Sequence, residues 1–236
     1  METNGFPFED KSPTAPRGRA KIIYPKDKLD IWESCAENER MCCRCFNKFV
    51  VDKFGTAVSL GPCIYHWGKP VRQKSFGSGF ELLYSCCQAD LGQTGCQICP
   101  AGHVHDSNKR LDLDGFITML PALPVDPTSS ICNVYAVDCE MVYTTAGFEL
   151  ARVTVVDSHL RSVIDRIVKP DNPIVDCNSR FSGLQAENLI NSEIRLTDIQ
   201  MELLQLWDDE TILIGHSLEN DLFALKVLGL FSKIYS

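Results

Sequence analysis

Asp138 and Glu140 stand two residues apart in "VYAVDCEMVY" (134–143), a run with the composition of a buried strand. On a strand, positions i and i+2 share a face. The two carboxylates therefore project together, and Val137, Cys139 and Met141 face the other way. Neighbouring carboxylates repel unless a cation sits between them or they share a proton. Mg²⁺ takes oxygen ligands, usually one or two carboxylates plus phosphate oxygens. Two such ions roughly 3.5–4 Å apart can hold both the attacking and the leaving oxygen of a phosphodiester displacement. A bare D-x-E also occurs by chance, with one acid capping a turn and the other on an exposed strand edge.

A third acid bears on that choice. "TILIGHSLENDL" (211–222) runs from a short apolar strand into a helix and places Asp221 in the first helical turn. If this strand lies beside the first, Asp221 reaches the same ions. Its alternative role is ordinary N-terminal helix charge, which is mildly stabilising.

Sulfur and imidazole donors form a second set. Of 12 cysteines, nine fall between Cys35 and Cys99. Cys42-x₂-Cys45, Cys63-x₂-His66 and Cys96-x₂-Cys99 each have spacing that lets two ligands converge on one Zn²⁺. Cys43, Cys86, Cys87, His103 and His105 are further candidates. The N-terminus lacks the apolar core of a secretory signal, so metal is favoured over disulfides. Buried free thiols are the alternative, since cysteine packs as a small hydrophobe. Between these ligands, "HWGKPVRQKSF" (66–76) interleaves Lys69, Arg72 and Lys74 with Trp67 and Phe76. That mixture could hold single-stranded RNA by phosphate contact and stacking; a solvated loop has the same composition.

Elements must position these groups. Residues 1–28 are poor in periodic hydrophobicity and read as a disordered basic tail. Residues 29–120 read as a Cys/His-rich zinc module, with short helices at 29–40 and 111–120, and 121–131 as a Pro/Ser-rich linker. From 132 to 236 the pattern changes. "VYAVDCEM", "LARVTVVD" and "VIDRIVKP" read as an antiparallel meander. "LTDIQMELLQLWD" reads as an amphipathic helix capped by Thr197 or Asp198, with Ile199, Leu203, Leu206 and Trp207 near one stripe. Strands, helix, strand, helix imply an α/β domain with a mixed sheet.

Charge follows the same division. The net charge of −8 resides in residues 132–236, which hold 8 Lys+Arg against 16 Asp+Glu. An acidic half argues against a broad nucleic-acid-coating surface. It does not argue against an enzyme that meets phosphates through bound cations. No apolar run approaches the length of a membrane span, and a soluble intracellular protein is expected.

The stretches "YAVDCEMVYTTAGFELARVTVVD", "IVKPDNPIVDCNSRFSGL" and "TILIGHSLENDLFALKVLG" resemble the DEDDh 3′-to-5′ exonucleases, and within them the RNA exonucleases. "MCCRCFNKF", "CIYHWGK" and "YSCCQADLGQTGC" resemble the Cys-rich segment that precedes the nuclease domain in that group. The resemblance implies an RNase H-like (DnaQ-type) fold, incomplete at its C-terminus. It implies that Asp138 and Glu140 form the first motif and Asp221 the acid of the second. The three would bind two Mg²⁺ or Mn²⁺ ions, activating water to release nucleoside monophosphates from single-stranded RNA 3′ ends. Met141, Phe181 and His216 match positions around the terminal nucleotide, although Met141 and Phe181 also suit a core. A nuclear location is implied by the same resemblance.

His216 and Asp221 also carry the His-x₄-Asp spacing of the family's third motif. That motif lies on a later helix, whereas His216 follows directly on "TILIG", so the pair is assigned to the second motif. On this reading residues 1–236 contain no counterpart of the third motif's His base and last Asp, and the missing fifth strand leaves an apolar edge. The different-class alternative is a catalytically silent module that binds RNA or an unidentified protein partner.

Overall fold

The computed structural model describes residues 5–23, 35–58, 61–74, 79–106, 113–122 and 133–228, and the backbone of 233–235. Two compact units emerge. One is Ser34–Asp106; the other joins Met1–Glu33 to Ser107–Ser236. The Cys/His module thus spans 34–106 rather than 29–120.

The N-terminal stretch expected to be a disordered tail instead forms a strand pair, β1 (Phe8–Glu9) with β2 (Ala20–Lys21). Ala20 is buried in a cluster with Phe116, Phe223 and Leu228. The segment carries few apolar side chains, and distant parts of the chain bury them. Local periodicity cannot register that kind of burial.

Among the described residues the smaller unit contains three antiparallel strand pairs. These are β3 (Glu39–Met41) with β4 (Lys48–Val50), β5 (Cys63–Tyr65) with β8 (Gln97–Cys99), and β6 (Pro70–Lys74) with β7 (Phe80–Tyr84). The helix expected over 29–40 is not found where the chain is described, because Glu39–Met41 is strand; residues 29–34 lie outside the described residues. The buried core here is small: Cys42, Phe49, Val51, Cys63 and Cys99. A core of that size seldom stabilises a unit without metal ions or disulfides.

The second expected helix, 111–120, is likewise absent from its described part. Gly115 adopts φ +80, which interrupts any helix, and Ile117–Thr118 form β9. Residues 111–112, and 123–131 of the expected linker, lie outside the described residues.

The main sheet contains β10 (Val134–Thr144), β11 (Gly147–Asp157), β12 (Ser162–Ile167), β13 (Ile174–Asp176), β14 (Ile212–Ile214) and β16 (Lys233–Tyr235); between the last two, β15 (Val227–Leu228) pairs in parallel with β9. The sheet order is β12-β11-β10-β14-β16. As expected, β10, β11 and β12 form an antiparallel meander. Its first turn is Thr145–Ala146, the two-residue connection that tight hairpins favour. β14 runs parallel to β10, and β16 runs parallel to β14. The expected loss of a fifth strand is therefore corrected: Lys233–Tyr235 supplies it, from a run too short to register as a strand.

Among the described residues four helices complete the unit: α1 (Ser179–Ser182), α2 (Ala186–Ile190), α3 (Leu196–Leu206) and α4 (Leu218–Ala224). Asp198 does serve the start of α3, but from the third helical position, where its carboxylate accepts the Arg195 N–H at 2.7 Å. Ile199 and Leu203 on α3 are fully buried with Val153, Val155, Leu213, Leu218 and Leu222. Each such side chain contributes roughly 1.5–3 kcal/mol by leaving water. Strands and helices share the main core, giving a mixed α/β unit.

Candidate functional site

β10 is the centre of the site. Val137 and Cys139 are buried, while Asp138 is exposed and Glu140 half-buried on the opposite face. One edge of β10 is only partly covered. β14 pairs with Val134–Ala136 and β13 with Tyr143–Thr144. In the interval between them, α4 inserts a side chain: Asp221 Oδ1 accepts the backbone N–H of Cys139 at 2.9 Å. The third acid thus reaches the strand between the first two.

The route into α4 depends on Gly215. A Cβ there would lie 2.9 Å from the Val137 carbonyl oxygen and 2.7 Å from Leu218 Cδ1. The backbone oxygen cannot yield, so only glycine lets the β14–α4 turn close onto β10. Ser217 then takes a left-handed conformation, φ 54, to start the helix.

Electrostatics mark a deficit of positive charge. Asp221 is 4 % exposed. Burial pushes its carboxyl up to about 7, the Cys139 N–H opposes that rise, and Asp138 adds to it. Glu140 is raised by burial and then by Asp138, with Arg152 pulling the other way. Arg152 is already committed to Asp165 through two hydrogen bonds of 2.9 Å. The Cys139 thiol is held well above its usual range by burial and by Asp221 and Asp138. The three carboxyl groups are hard oxygen donors whose one nearby cation, Arg152, is shared with Asp165, which suits Mg²⁺ or Mn²⁺. The three acids are not among the groups whose ligand atoms all lie within 4.8 Å of one another. A pair of ions roughly 3.5–4 Å apart needs a wider spread than a single ion does.

The other expected site residues fall differently. Met141 packs against the main core, following a bulge between Glu140 and Met141. Phe181, on α1, is 60 % exposed, so it is no core residue. His216 is exposed in the turn that leads from β14 into the helix of Asp221.

The Cys/His donors form two groups: Cys42, Cys45, Cys63 and His103, and separately His66, Cys86, Cys87 and Cys96. In the first, Cys42 and Cys63 sulfurs are 3.7 Å apart, and Cys45 lies 3.3 Å from His103 Nδ1. In the second, His66 Nδ1 is 3.4 Å from Cys87 and 3.5 Å from Cys86, with Cys96 3.6 Å from Cys86. Only one of the three expected pairs stays together. Cys42 and Cys45 converge across a turn, whereas Cys63-x₂-His66 and Cys96-x₂-Cys99 run along β5 and β8. Residues three apart on extended chain face opposite ways. Cys63 and His66 accordingly divide between the groups. Cys99 joins neither; it is buried across from Cys63 and accepts a hydrogen bond from Arg44 at 3.3 Å. His103, only a further candidate in the sequence, completes the first group. Cys43 and His105 belong to neither.

Each group holds three sulfurs and one imidazole, a donor set that zinc favours. Burial opposes ionisation of Cys42, yet backbone N–H groups of Cys45 and Arg44 hold its thiol below the usual range. Cys86 is opposed by burial too, but the Gly68 N–H and His66 bring it to about 7. Burial and the neighbouring sulfurs push Cys96 up to about 11. One sulfur in each group is thus prepared to ionise first.

No protein-family model matches the chain. Over 229 residues, 97 % of its length, it is 44 % identical to the RNA exonuclease 1 homolog of Homo sapiens, covering 18 % of that protein. It is equally similar over the same length to exonuclease GOR of Pan troglodytes, covering 31 %. RNA exonuclease 3 of Schizosaccharomyces pombe is 35 % identical over 217 residues, 88 % of this chain and 38 % of that protein. The chain is homologous to these proteins and belongs to the DEDDh exonuclease family. It spans less than two fifths of each of these relatives. The matched stretch takes in both units.

Among solved structures, the Saccharomyces cerevisiae Pan2 pseudoubiquitin hydrolase-RNA exonuclease module matches with 17 % identity and a TM-score of 0.36, over 71 % of this chain and 35 % of that one. The Neurospora crassa Pan2 catalytic unit gives 17 % and 0.38, over 74 % and 35 %. Likeness at that level is too slight to bear on the fold. No helix among the described residues is long and apolar enough to cross a membrane.

Proposed function

We propose that residues 107–236 are the metal-binding part of a 3′-to-5′ exoribonuclease domain of RNase H-like arrangement, acting on single-stranded RNA ends and releasing nucleoside monophosphates. The carrying observation is the bond from the Cys139 N–H to Asp221, which sets the third acid on the β10 edge beside Asp138 and Glu140. The sheet order, with a meander followed by two parallel strands, supports the arrangement.

Asp138, Glu140 and Asp221 would hold two Mg²⁺ or Mn²⁺ ions, which when bound stabilise the charge that develops on the phosphate and acidify water. The chain's own part is placement. β10 holds two carboxylates on one face, and α4 brings a third without exposing it. Phe181 is exposed enough to stack on a terminal base, and His216 to contact its phosphate. The family's third motif, which provides the base and a fourth acid, comes later in chain order than Asp221. Zn²⁺ in the two Cys/His groups would be structural, since four protein donors close each site. A nuclear location belongs to the same reading through the resemblance alone; the basic residues Arg17, Arg19, Lys21, Lys26 and Lys28 are compatible with it but not diagnostic.

The test is a Mg²⁺-dependent assay on 5′-labelled single-stranded RNA. One-nucleotide laddering that Asp138→Asn slows roughly a hundredfold or more would support the enzyme. RNA held without laddering would instead favour the binding module.

A further inference from the structure

The β6–β7 ribbon carries a feature that the acid site does not use. Cross-strand partners in an antiparallel pair share a face. The register sets Pro70 against Tyr84, Arg72 against Leu82 and Lys74 against Phe80. One face therefore presents Arg72, Lys74, Phe80, Leu82 and Tyr84, and its neighbour Lys69 lies just before the strand. The single acid of the ribbon, Glu81, pairs with Gln73 on the other face. Arg72, Lys74 and Phe80 are exposed, Phe80 to 59 %, and the Arg72 guanidinium lies 4.1 Å above the Phe80 ring. Among the described residues, neither Arg72 nor Lys74 has an acidic partner within ion-pair distance. In a chain of net charge −8, this strip is positive.

The base of the ribbon is tied to a candidate metal group. Tyr84 stacks on His66 with ring centroids 3.7 Å apart and planes within 8°. His66 belongs to the group with Cys86, Cys87 and Cys96, and its Nε2 lies 3.1 Å from the Gln93 carbonyl oxygen. The ring is thus held at both nitrogens and on one face. Gly68 permits this closeness, because a Cβ there would collide with Ser85 and the Cys86 backbone.

We propose that this face is a docking strip for single-stranded RNA, kept in shape by a zinc ion at His66, Cys86, Cys87 and Cys96. Arg72 and Lys74 meet phosphates, and Phe80 offers a ring on which a base stacks. Cations interleaved with aromatic surface are the chemistry of sequence-tolerant single-strand binding. The polyanion fits by charge, and an apolar protein partner would leave both cations buried without counter-charge. That the occupant is RNA rests on the function proposed above; the strip itself requires only a single strand.

Fluorescence anisotropy of a labelled oligouridine 12-mer tests it, using the zinc-loaded full chain without Mg²⁺. Arg72→Glu with Lys74→Glu should weaken binding at least tenfold. The milder Arg72→Gln with Lys74→Gln should flatten the salt dependence by about 1.4, the value for two phosphates on a single strand. Phe80→Ala should weaken binding roughly fivefold or more. Glu81→Gln, on the other face, should leave it unchanged. Zinc content and circular dichroism of the variants verify folding. Unchanged affinity and salt slope in both Arg72/Lys74 variants would overturn the strip. Equal binding of single-stranded DNA with the same dependence would overturn RNA as its occupant. Failure of the exonuclease reading is separable: wild-type chain that binds through Arg72 and Lys74 but never ladders with Mg²⁺ sustains the strip and defeats only that reading.

Discussion

The Asp221 carboxylate accepts the backbone N–H of Cys139, so the acid from α4 is registered against the strand residue flanked by Asp138 and Glu140. A main-chain donor has no rotamer to choose. The third acid is therefore positioned by the backbone of the first motif itself, and the spacing between motifs is a property of the sheet edge.

This contact has a pH signature. Without a divalent ion, the Asp221 carboxyl keeps its proton up to about pH 7 in the folded chain, and loses it near 3.9 when unfolded. Its contribution to stability is complete below the unfolded value and is lost as pH rises through about 7. Thermal melts of zinc-loaded, Mg²⁺-free protein should show wild type losing stability relative to Asp221→Asn across that interval. At pH 7.5, Mg²⁺ should raise the wild-type midpoint and leave that of Asp221→Asn unmoved. A difference between the two that stays flat with pH would contradict the burial of this carboxyl.

Gly215 gives a steric prediction. Adding one methyl group forces the turn away from the Val137 carbonyl, and Leu218 must move as well. Gly215→Ala should cost about 1–3 kcal/mol in urea unfolding, as overpacking generally does. It should also weaken Mg²⁺ binding, because α4 carries Asp221. Titration calorimetry giving wild-type affinity would show that the turn adapts.

The two Cys/His groups predict two zinc ions per chain by mass spectrometry under native conditions. Cys87→Ser should remove one ion and leave β3–β4 folded. Cys42→Ser should remove the other and disperse the small core, since Cys42 is itself part of that core. Amide resonances of Phe49 and Val51 report the difference. One ion in wild type would mean that a single group binds.

What could be read from the sequence was local. The meander showed because Val153 and Val155 alternate with Arg152 and Thr154 in "LARVTVVD" and its first turn is short; α3 showed because Ile199 and Leu203 fall on one stripe. Asp221 could be placed because a strand precedes it. What escaped depended on distance or direction. Phe8–Glu9 and Ala20–Lys21 pair as strands where Phe116, Phe223 and Leu228 cover Ala20. Cys63 and His66 have a zinc-like spacing, but spacing counts residues and ignores which way a strand turns them. His103 meets cysteines far back in the chain, and no short motif announces it. Lys233–Tyr235 is a strand by virtue of β14 beside it.

The two parts of the larger unit that flank the small one in chain order are bonded to each other. Before it, Ala20 donates to the Leu113 carbonyl at 2.7 Å; after it, Phe116 donates to the Gly18 carbonyl at 2.9 Å. The cysteine-bearing portion is consequently a graft set into a host, not a bead strung ahead of one. Protein engineers could excise it whole and rejoin the ends, whereas trimming from the N-terminus would tear away a strap that belongs to the host.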